Sequence, residues 1–217
     1  MKSDQVAAYL QQNPAFFEEY ADLLANIYIP HPHGGRAIPI SERQILSLRE
    51  KNRALESKLK ELIDFGEEND VIGERLHRLT LVLLAARDFD AVLHGLYFNL
   101  REDFAVPHVA LRLWPAEPGS DRTEYRDAGE EVRMFTASLS GPYCLGHPMY
   151  DTATWFGEDG GRLRSFAYVP LKGSEVIGLL ALGSEDPQRF YPEMGTLYLG
   201  RLGDMAVAAL ERVRSKA

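Results

Sequence analysis

Residues 165–184 read SFAYVPLKGSEVIGLLALGS, two apolar runs joined by the polar connection Lys172-Gly173-Ser174-Glu175. Phe, Tyr, Val, Ile and Leu at near-alternating positions suit a pleated surface, and Gly173 gives the short connection a permissive backbone, so the stretch predicts an antiparallel hairpin. Upstream, residues 108–114, HVALRLW, alternate with the same period and stop at Pro115, which predicts another strand. Val92, Leu93, Leu96, Leu100 and Phe104 recur at helical spacing after Asp88, a candidate N-cap, and Pro107 ends that helix. Downstream, Pro192 precedes a helix predicted over 193–214, in which Gly195, Gly200 and Gly203 permit close approach of another backbone. Residues 115–130 predict a loop with an edge strand around Tyr125. Residues 131–164 predict a helix near 132–139, the Gly141-Pro142-Tyr143-Cys144 stretch, and a helical turn around 154–156. The class that follows is α+β, with a five- or six-stranded antiparallel sheet flanked by helices.

A stalk precedes this domain. Ile45, Leu48, Asn52, Leu55, Leu59 and Leu62 alternate at spacings of three and four, the a and d positions of three heptads. Asn52 occupies an a position, where an amide is best satisfied by its twin on a parallel, in-register partner, and Leu fills the d positions. These six residues are the expected interface of a parallel homodimer. Ser41-Glu42-Arg43-Gln44 fits a capping box, with Ile40 and Ile45 placed for a hydrophobic staple, so the helix is expected to start at 42. Gly66 and Gly73 are expected to loosen it. Before it, Val6, Tyr9 and Leu10 mark one short helix, and Phe16, Tyr20, Leu23 and Leu24 mark another, opened by Asn13-Pro14. These helices cannot bury so much aromatic surface alone, so they are expected to dock, as a cap folded against the rest of the dimer or as a surface for a protein partner. His31-Pro32-His33-Gly34-Gly35 reads as a linker, since two histidines fall short of a metal ligand set. The expected organisation is 1–40 helical segment and linker, 41–70 coiled-coil helix, and 71–217 α+β domain.

Composition narrows the function. The 217 residues carry a formal net charge of −8, with 8 basic and 9 acidic side chains over 1–65 and 16 and 23 over 66–217, so neither part is a basic arm for nucleic acid. The apolar run 81–86 is too short for a bilayer span, and the single cysteine, Cys144, cannot form an internal disulfide. A cytoplasmic protein with no membrane and no nucleic-acid partner is the expectation.

Strand alternation also sorts the sheet's faces. Val109, Leu111, Leu113, Ala167, Val169 and Leu171 suit packing under helices, whereas Ala110, Arg112, Trp114, Phe166 and Tyr168 share the opposite face. Aromatic rings around one guanidinium suit a flat or anionic ligand, or else they fill a second core. Tyr143, Cys144, His147, Trp155 and Phe156 are the candidate lids of that pocket. Asp151, Glu158 or Asp159 could supply Arg112 with a carboxylate instead of a ligand. Cys144 and His147 form a Cys-x-x-His pair, too few ligands for a metal and lacking a third group that would orient a nucleophile.

The hairpin, the Phe190-Tyr191 pair and the terminal helix together resemble the closing half of a GAF domain, a small-molecule sensor module. The whole chain resembles an uncharacterised bacterial family of GAF-like proteins, a domain of unknown function often encoded beside a tyrosine-type recombinase. VAAYLQQNPAFFEEYADLL, IPHPHGG, ERQILSLREKNRALESKL, GPYC and GLLALGSEDPQRFYPEMGTLYL carry that resemblance. The family's Gly-Pro-Tyr-Cys-Gly becomes Gly-Pro-Tyr-Cys-Leu-Gly here, with Leu145 intervening before Gly146. GAF proteins that reduce methionine sulfoxide use more than one cysteine, and those that attach bilins use a Cys-His dipeptide; Cys144 is alone and precedes Leu145. The Asn-Lys…Phe…Asp-Glu pattern of cyclic-nucleotide GAF domains is also missing. The resemblance implies a dimeric ligand-responsive sensor or signalling adaptor that is not an enzyme, whose signal passes to a separate protein and whose cofactor, if any, is unidentified. The alternatives are a structural interaction partner with a filled pocket and an enzyme dependent on Cys144.

Overall fold

The computed structural model describes residues 2–26, 28–29, 38–114 and 121–214, with side chains over 2–23, 43–114 and 121–214. The chain divides into two compact units, Met1–Glu67 and Glu68–Ala217.

The first unit holds α1 (Ser3–Gln12), α2 (Ala15–Glu19), α3 (Ala21–Asn26), the short antiparallel pair β1 (Tyr28–Ile29) and β2 (Ile38–Pro39), and the start of α4 (Ile40–Ala85). Three short helices replace the expected two. The break is at Tyr20, whose backbone (φ −116°, ψ 38°) leaves helical geometry while its N–H still donates to the Phe16 carbonyl. Asn13 does not cap the following helix. Its side-chain amide donates back to the Tyr9 carbonyl at 2.9 Å and closes α1. Phe16 stacks on Tyr20 with ring centroids 4.9 Å apart and meets Phe17 edge-on at 5.7 Å. The linker at 31–35 and the side chains of the expected cap, Ile40 and Ser41, lie outside the described residues.

Helix α4 starts at Ile40, two residues earlier than expected, and runs without interruption through Gly66 and Gly73. Each glycine costs about 1 kcal/mol against alanine, too little to break a helix of this length. Ile45, Leu48, Leu55, Leu59 and Leu62 stand 50–66 % exposed, and Asn52 among them is exposed too, its amide donating to Glu56 one turn on at 3.0 Å.

The second unit contains the end of α4, then α5 (Phe89–Glu102), β3 (His108–Leu113), α6 (Glu130–Ser138), β4 (Tyr143–Leu145), β5 (Ser165–Lys172), β6 (Val176–Ser184) and α7 (Leu197–Arg214). The sheet order is β3-β6-β5-β4, antiparallel throughout. This is the α+β architecture expected, an antiparallel sheet flanked by helices, with four strands among the described residues instead of five or six. The segment around Tyr125 is a 3-10 turn, Thr123–Tyr125, in which Tyr125 is buried and stacks on Phe89 at 5.7 Å. The Tyr125 backbone N–H donates to the Arg122 carbonyl at 3.1 Å, within the turn and not to a neighbouring strand.

Asp88 caps α5 as its sequence position predicts, accepting from the Ala91 amide at 2.8 Å. Helix α7 begins at Leu197, past Pro192 and Gly195, and approaches the sheet so closely that a Cβ on Gly203 would lie 2.8 Å from Val169 Cγ1. At its other end the Arg212 guanidinium donates to the carbonyls of Leu83, Leu84 and Ala86 at 2.8, 2.9 and 2.7 Å. One cation thereby satisfies the carbonyls that the end of α4 leaves without helical partners. Leu76, Leu79 and Leu83 of α4, Val92, Leu96 and Leu100 of α5, and Ala206, Leu210 and Val213 of α7 cover one sheet face over Leu111, Leu113, Ala167, Val169, Leu171, Leu180 and Leu182. Among the described residues no helix is long and apolar enough to cross a membrane.

Candidate functional site

The second sheet face carries Ala110 and Arg112 from β3, Phe166 and Tyr168 from β5, and Leu179 and Ala181 from β6. Period-two alternation puts them together, because each lies one residue away from an aliphatic side chain of the helix-covered face. Val132 of α6, Leu163, and the half-buried Trp155 and Phe156 cover the face. The last two belong to Tyr150–Arg162, short 3-10 turns joined at Gly157 (φ 63°). Gly160 in that segment lies so near the Ala153 carbonyl that no side chain fits, which keeps the turns tight.

Tyr168 fixes the segment to the sheet. Its hydroxyl accepts from the Met149 amide at 2.9 Å and lies 2.7 Å from Thr152 Oγ1, which itself donates to the Met149 carbonyl at 2.6 Å. Burial pushes the Tyr168 phenol's pKa up, against those two hydrogen bonds. Phe166 stacks parallel to Tyr168 at 6.3 Å and meets Phe156 at 6.1 Å. Phe166 and Tyr168 are both fully covered. The sequence leaves this face open between a ligand pocket and a second core, and here it is filled by its own rings and by the segment lying across them.

Arg112 is the exception within that packing. Its residue is only 6 % exposed; Nη1 donates to the neighbouring Leu111 carbonyl at 2.9 Å, the guanidinium carbon lies 4.9 Å from the Trp155 ring centre, and Nε has no partner. Burial pulls the guanidinium's pKa down, Arg126 adding to the effect while Tyr97 and Glu124 oppose it. Among the described residues no carboxylate forms an ion pair with it. Of the candidates, Asp159 faces His108 at 3.7 Å and Arg162 at 3.8 Å instead. Tyr97 donates to Glu124 at 3.0 Å, and burial followed by that carboxylate drives its pKa up.

The predicted lids separate. Trp155 and Phe156 do lie over the face. Trp114 is half-buried at its rim, with Arg133 6.0 Å from its ring centre. Tyr143, opposite Tyr168 on the edge strand, is 44 % exposed. Cys144 belongs elsewhere: paired with Ala167, it points into the aliphatic core beneath the helices, and burial pushes its thiol pKa up to about 11. A Cys one residue from a face-lining Tyr must lie on the other side of the strand, so its place among the lids is corrected. His147 is exposed, Nδ1 3.2 Å from the Pro148 carbonyl oxygen, and meets neither Cys144 nor the face. Thr152 and Met149, which hold the segment down, carry no sequence signal. Among the described residues one surface groove is lined by Glu131, Met134, Phe135, Ser138 and Tyr150 and another by Gly73, Leu76, His77, Thr80, Arg201, Asp204 and Met205; neither of these includes Arg112.

Residues 1–215 match the family described as "Protein of unknown function, DUF484", and the chain belongs to that family. It is 25% identical over 222 residues to the uncharacterized protein YigA of Salmonella typhimurium, spanning 95% of this chain and 90% of that protein. Among solved structures it is similar to the GAF domain of a phosphoenolpyruvate-protein phosphotransferase from Coxiella burnetii, at 15% identity and a TM-score of 0.49, covering 67% of this chain and 95% of that one. It is also similar to the free methionine-R-sulfoxide reductase of Neisseria meningitidis, at 19% identity and a TM-score of 0.47, covering 67% and 92%.

Proposed function

We propose that this DUF484 protein is a homodimeric signalling adaptor, paired through the stripe Ile45, Leu48, Asn52, Leu55, Leu59 and Leu62 as a parallel coiled coil, whose α+β domain responds to a small anionic ligand. The observation that carries the reading is Arg112. A guanidinium taken out of water costs free energy unless an anion and full hydrogen bonding compensate it, and here Nε lacks any partner. A carboxylate or phosphate entering between Trp155 and the sheet would supply both, at the expense of the hydrogen bonds from Tyr168 that hold the segment closed. The Cys144 thiol, buried and protonated at neutral pH, gives no nucleophile, which supports a non-enzymatic role. Cytoplasmic placement belongs to the same reading, on the single unpaired cysteine.

A second reading, a purely structural partner protein, is favoured by the complete burial of Phe166 and Tyr168. Native mass spectrometry of protein purified from its own host separates the two. The sensor reading expects a dimer with an extra mass that disappears in Arg112→Met, and a monomer retaining that mass in Leu55→Asp. A bare dimer in both the wild type and Arg112→Met leaves the structural partner standing and removes the sensor.

A further inference from the structure

The groove on α6 lies outside the Arg112 face and has its own chemistry. Phe135 is at its centre, its ring 6.2 Å from Tyr143 at 55° and 6.3 Å from Tyr150 at 65°. Phe135 and Tyr150 at an oblique angle present faces and edges to one space of about 460 Å³, which Glu131, Met134 and Ser138 complete, while Tyr143 backs Phe135 from outside it. Tyr150 is 50 % exposed and Met134 is 65 % exposed, so the groove presents apolar surface to solvent. Tyr150 is also held at φ 47°, in the left-handed region that costs a tyrosine energy, so its ring is presented from a backbone that must be maintained by its surroundings.

Charge decides what fits. Glu131, on the rim, has no ion pair among the described residues, while the nearest cation on the same helix, Arg133, is held by Asp127 at 2.7 Å. Ring faces carry negative quadrupole density, and a free carboxylate adds a full negative charge, so the groove favours a cation with apolar surface over an anion or a neutral hydrocarbon. Its lining offers no positive side chain to oppose one. A bulky ammonium that cannot be strongly hydrated gains most from such a site.

We infer that Phe135, Tyr150 and Glu131 form a binding site for a small organic cation bearing a trimethylammonium group. The site is independent of the Arg112 reading and stands or falls without it.

The test uses the full chain labelled with ¹³C-methyl methionine and choline as the probe, with its uncharged carbon isostere 3,3-dimethylbutanol as the control. Choline is expected to shift the Met134 methyl signal saturably while the Met205 signal stays in place, and the isostere to bind at least about tenfold more weakly. Glu131→Gln, an exposed change that leaves the fold alone, is expected to weaken choline several-fold. Tyr150→Leu should abolish the shift and Tyr150→Phe should retain it. Equal binding of choline and the isostere would overturn the inference by reducing the groove to plain apolar surface, and so would the absence of a saturable Met134 shift at about 100 mM choline. Tighter binding of arginine amide than of choline would overturn the trimethylammonium assignment and put a protein side chain in the groove.

Discussion

The two faces of the sheet are made from the same strands yet obey different chemistry. Beneath α4, α5 and α7 the contacts are mostly aliphatic, Leu111, Leu113, Val169, Leu171, Leu180 and Leu182 against helix leucines, valines and alanines, with Cys144 and Tyr125 as the buried titratable side chains. Across the sheet, the fully buried Phe166 and Tyr168 pack with Arg112 and a 3-10 segment tied down through a tyrosine hydroxyl. A regular helix stripe satisfies its own backbone and needs only shape and apolar area from the sheet. An irregular segment leaves amides and hydroxyls that must find partners, so its covering face has to carry polar atoms. The aliphatic side is where stability concentrates, and the aromatic side is where the molecule can exchange one set of polar partners for another.

That difference sets an order of mutational effects. Leu111→Ala, deleting a fully buried side chain under the helices, is expected to cost about 2–5 kcal/mol, read from urea unfolding. The midpoint temperature should fall by roughly 2–4 °C per kcal/mol. A loss under about 1 kcal/mol would mean that the helices settle into the space and that the face is less tightly packed than its burial indicates. Tyr168→Phe keeps the ring but removes the hydroxyl between the Met149 amide and Thr152, so about 1–3 kcal/mol should be lost. Its sharper signature is local. Amide hydrogen exchange over Tyr150–Arg162 should accelerate while α7 remains as protected as in the wild type. Uniform acceleration in both elements would erase the proposed distinction between a rigid and a releasable face.

The sequence made most of this division readable, for physical reasons. Alternation is a property of the strand backbone, so Val109, Leu111, Leu113, Ala167, Val169 and Leu171 separate from Ala110, Arg112, Phe166 and Tyr168 without knowledge of what covers either side. Asp88 was legible because an N-cap acts within three residues. The closure of the aromatic face was not legible: it depends on Thr152 and Met149 reaching Tyr168, contacts 16 and 19 residues away in a stretch without hydrophobic period. The position of Cys144 could have been found, since pairing 143–145 as a strand puts Tyr143 and Cys144 on opposite sides. Treating GPYC as an irregular lid hid that. The Phe135, Tyr143 and Tyr150 cluster was hidden differently, because helix, strand and 3-10 turn each contribute one ring and no spacing rule connects them.

Cys144 offers the smallest effect and the cleanest one. An unfolded thiol ionises near pH 9, whereas burial raises the native pKa to about 11. Between those values the unfolded chain has released a proton that the native chain still holds. Unfolding then releases that proton, so stability falls as pH rises through this window and is independent of this group below it. Tyr97 and Tyr168 are also raised, from an ordinary value of 10.0, so they add to the decline as pH 10 is approached, and the thiol's share is the difference that removing it makes. Urea midpoints measured from about pH 9 to 10 should decline more steeply in the wild type than in Cys144→Ala, with native Cys144 reacting slowly with thiol reagents until denaturant opens the helices. Parallel profiles for the two proteins would mean that the thiol ionises as readily folded as unfolded. That result would take Cys144 out of the aliphatic core and return it to the exchangeable side of the sheet.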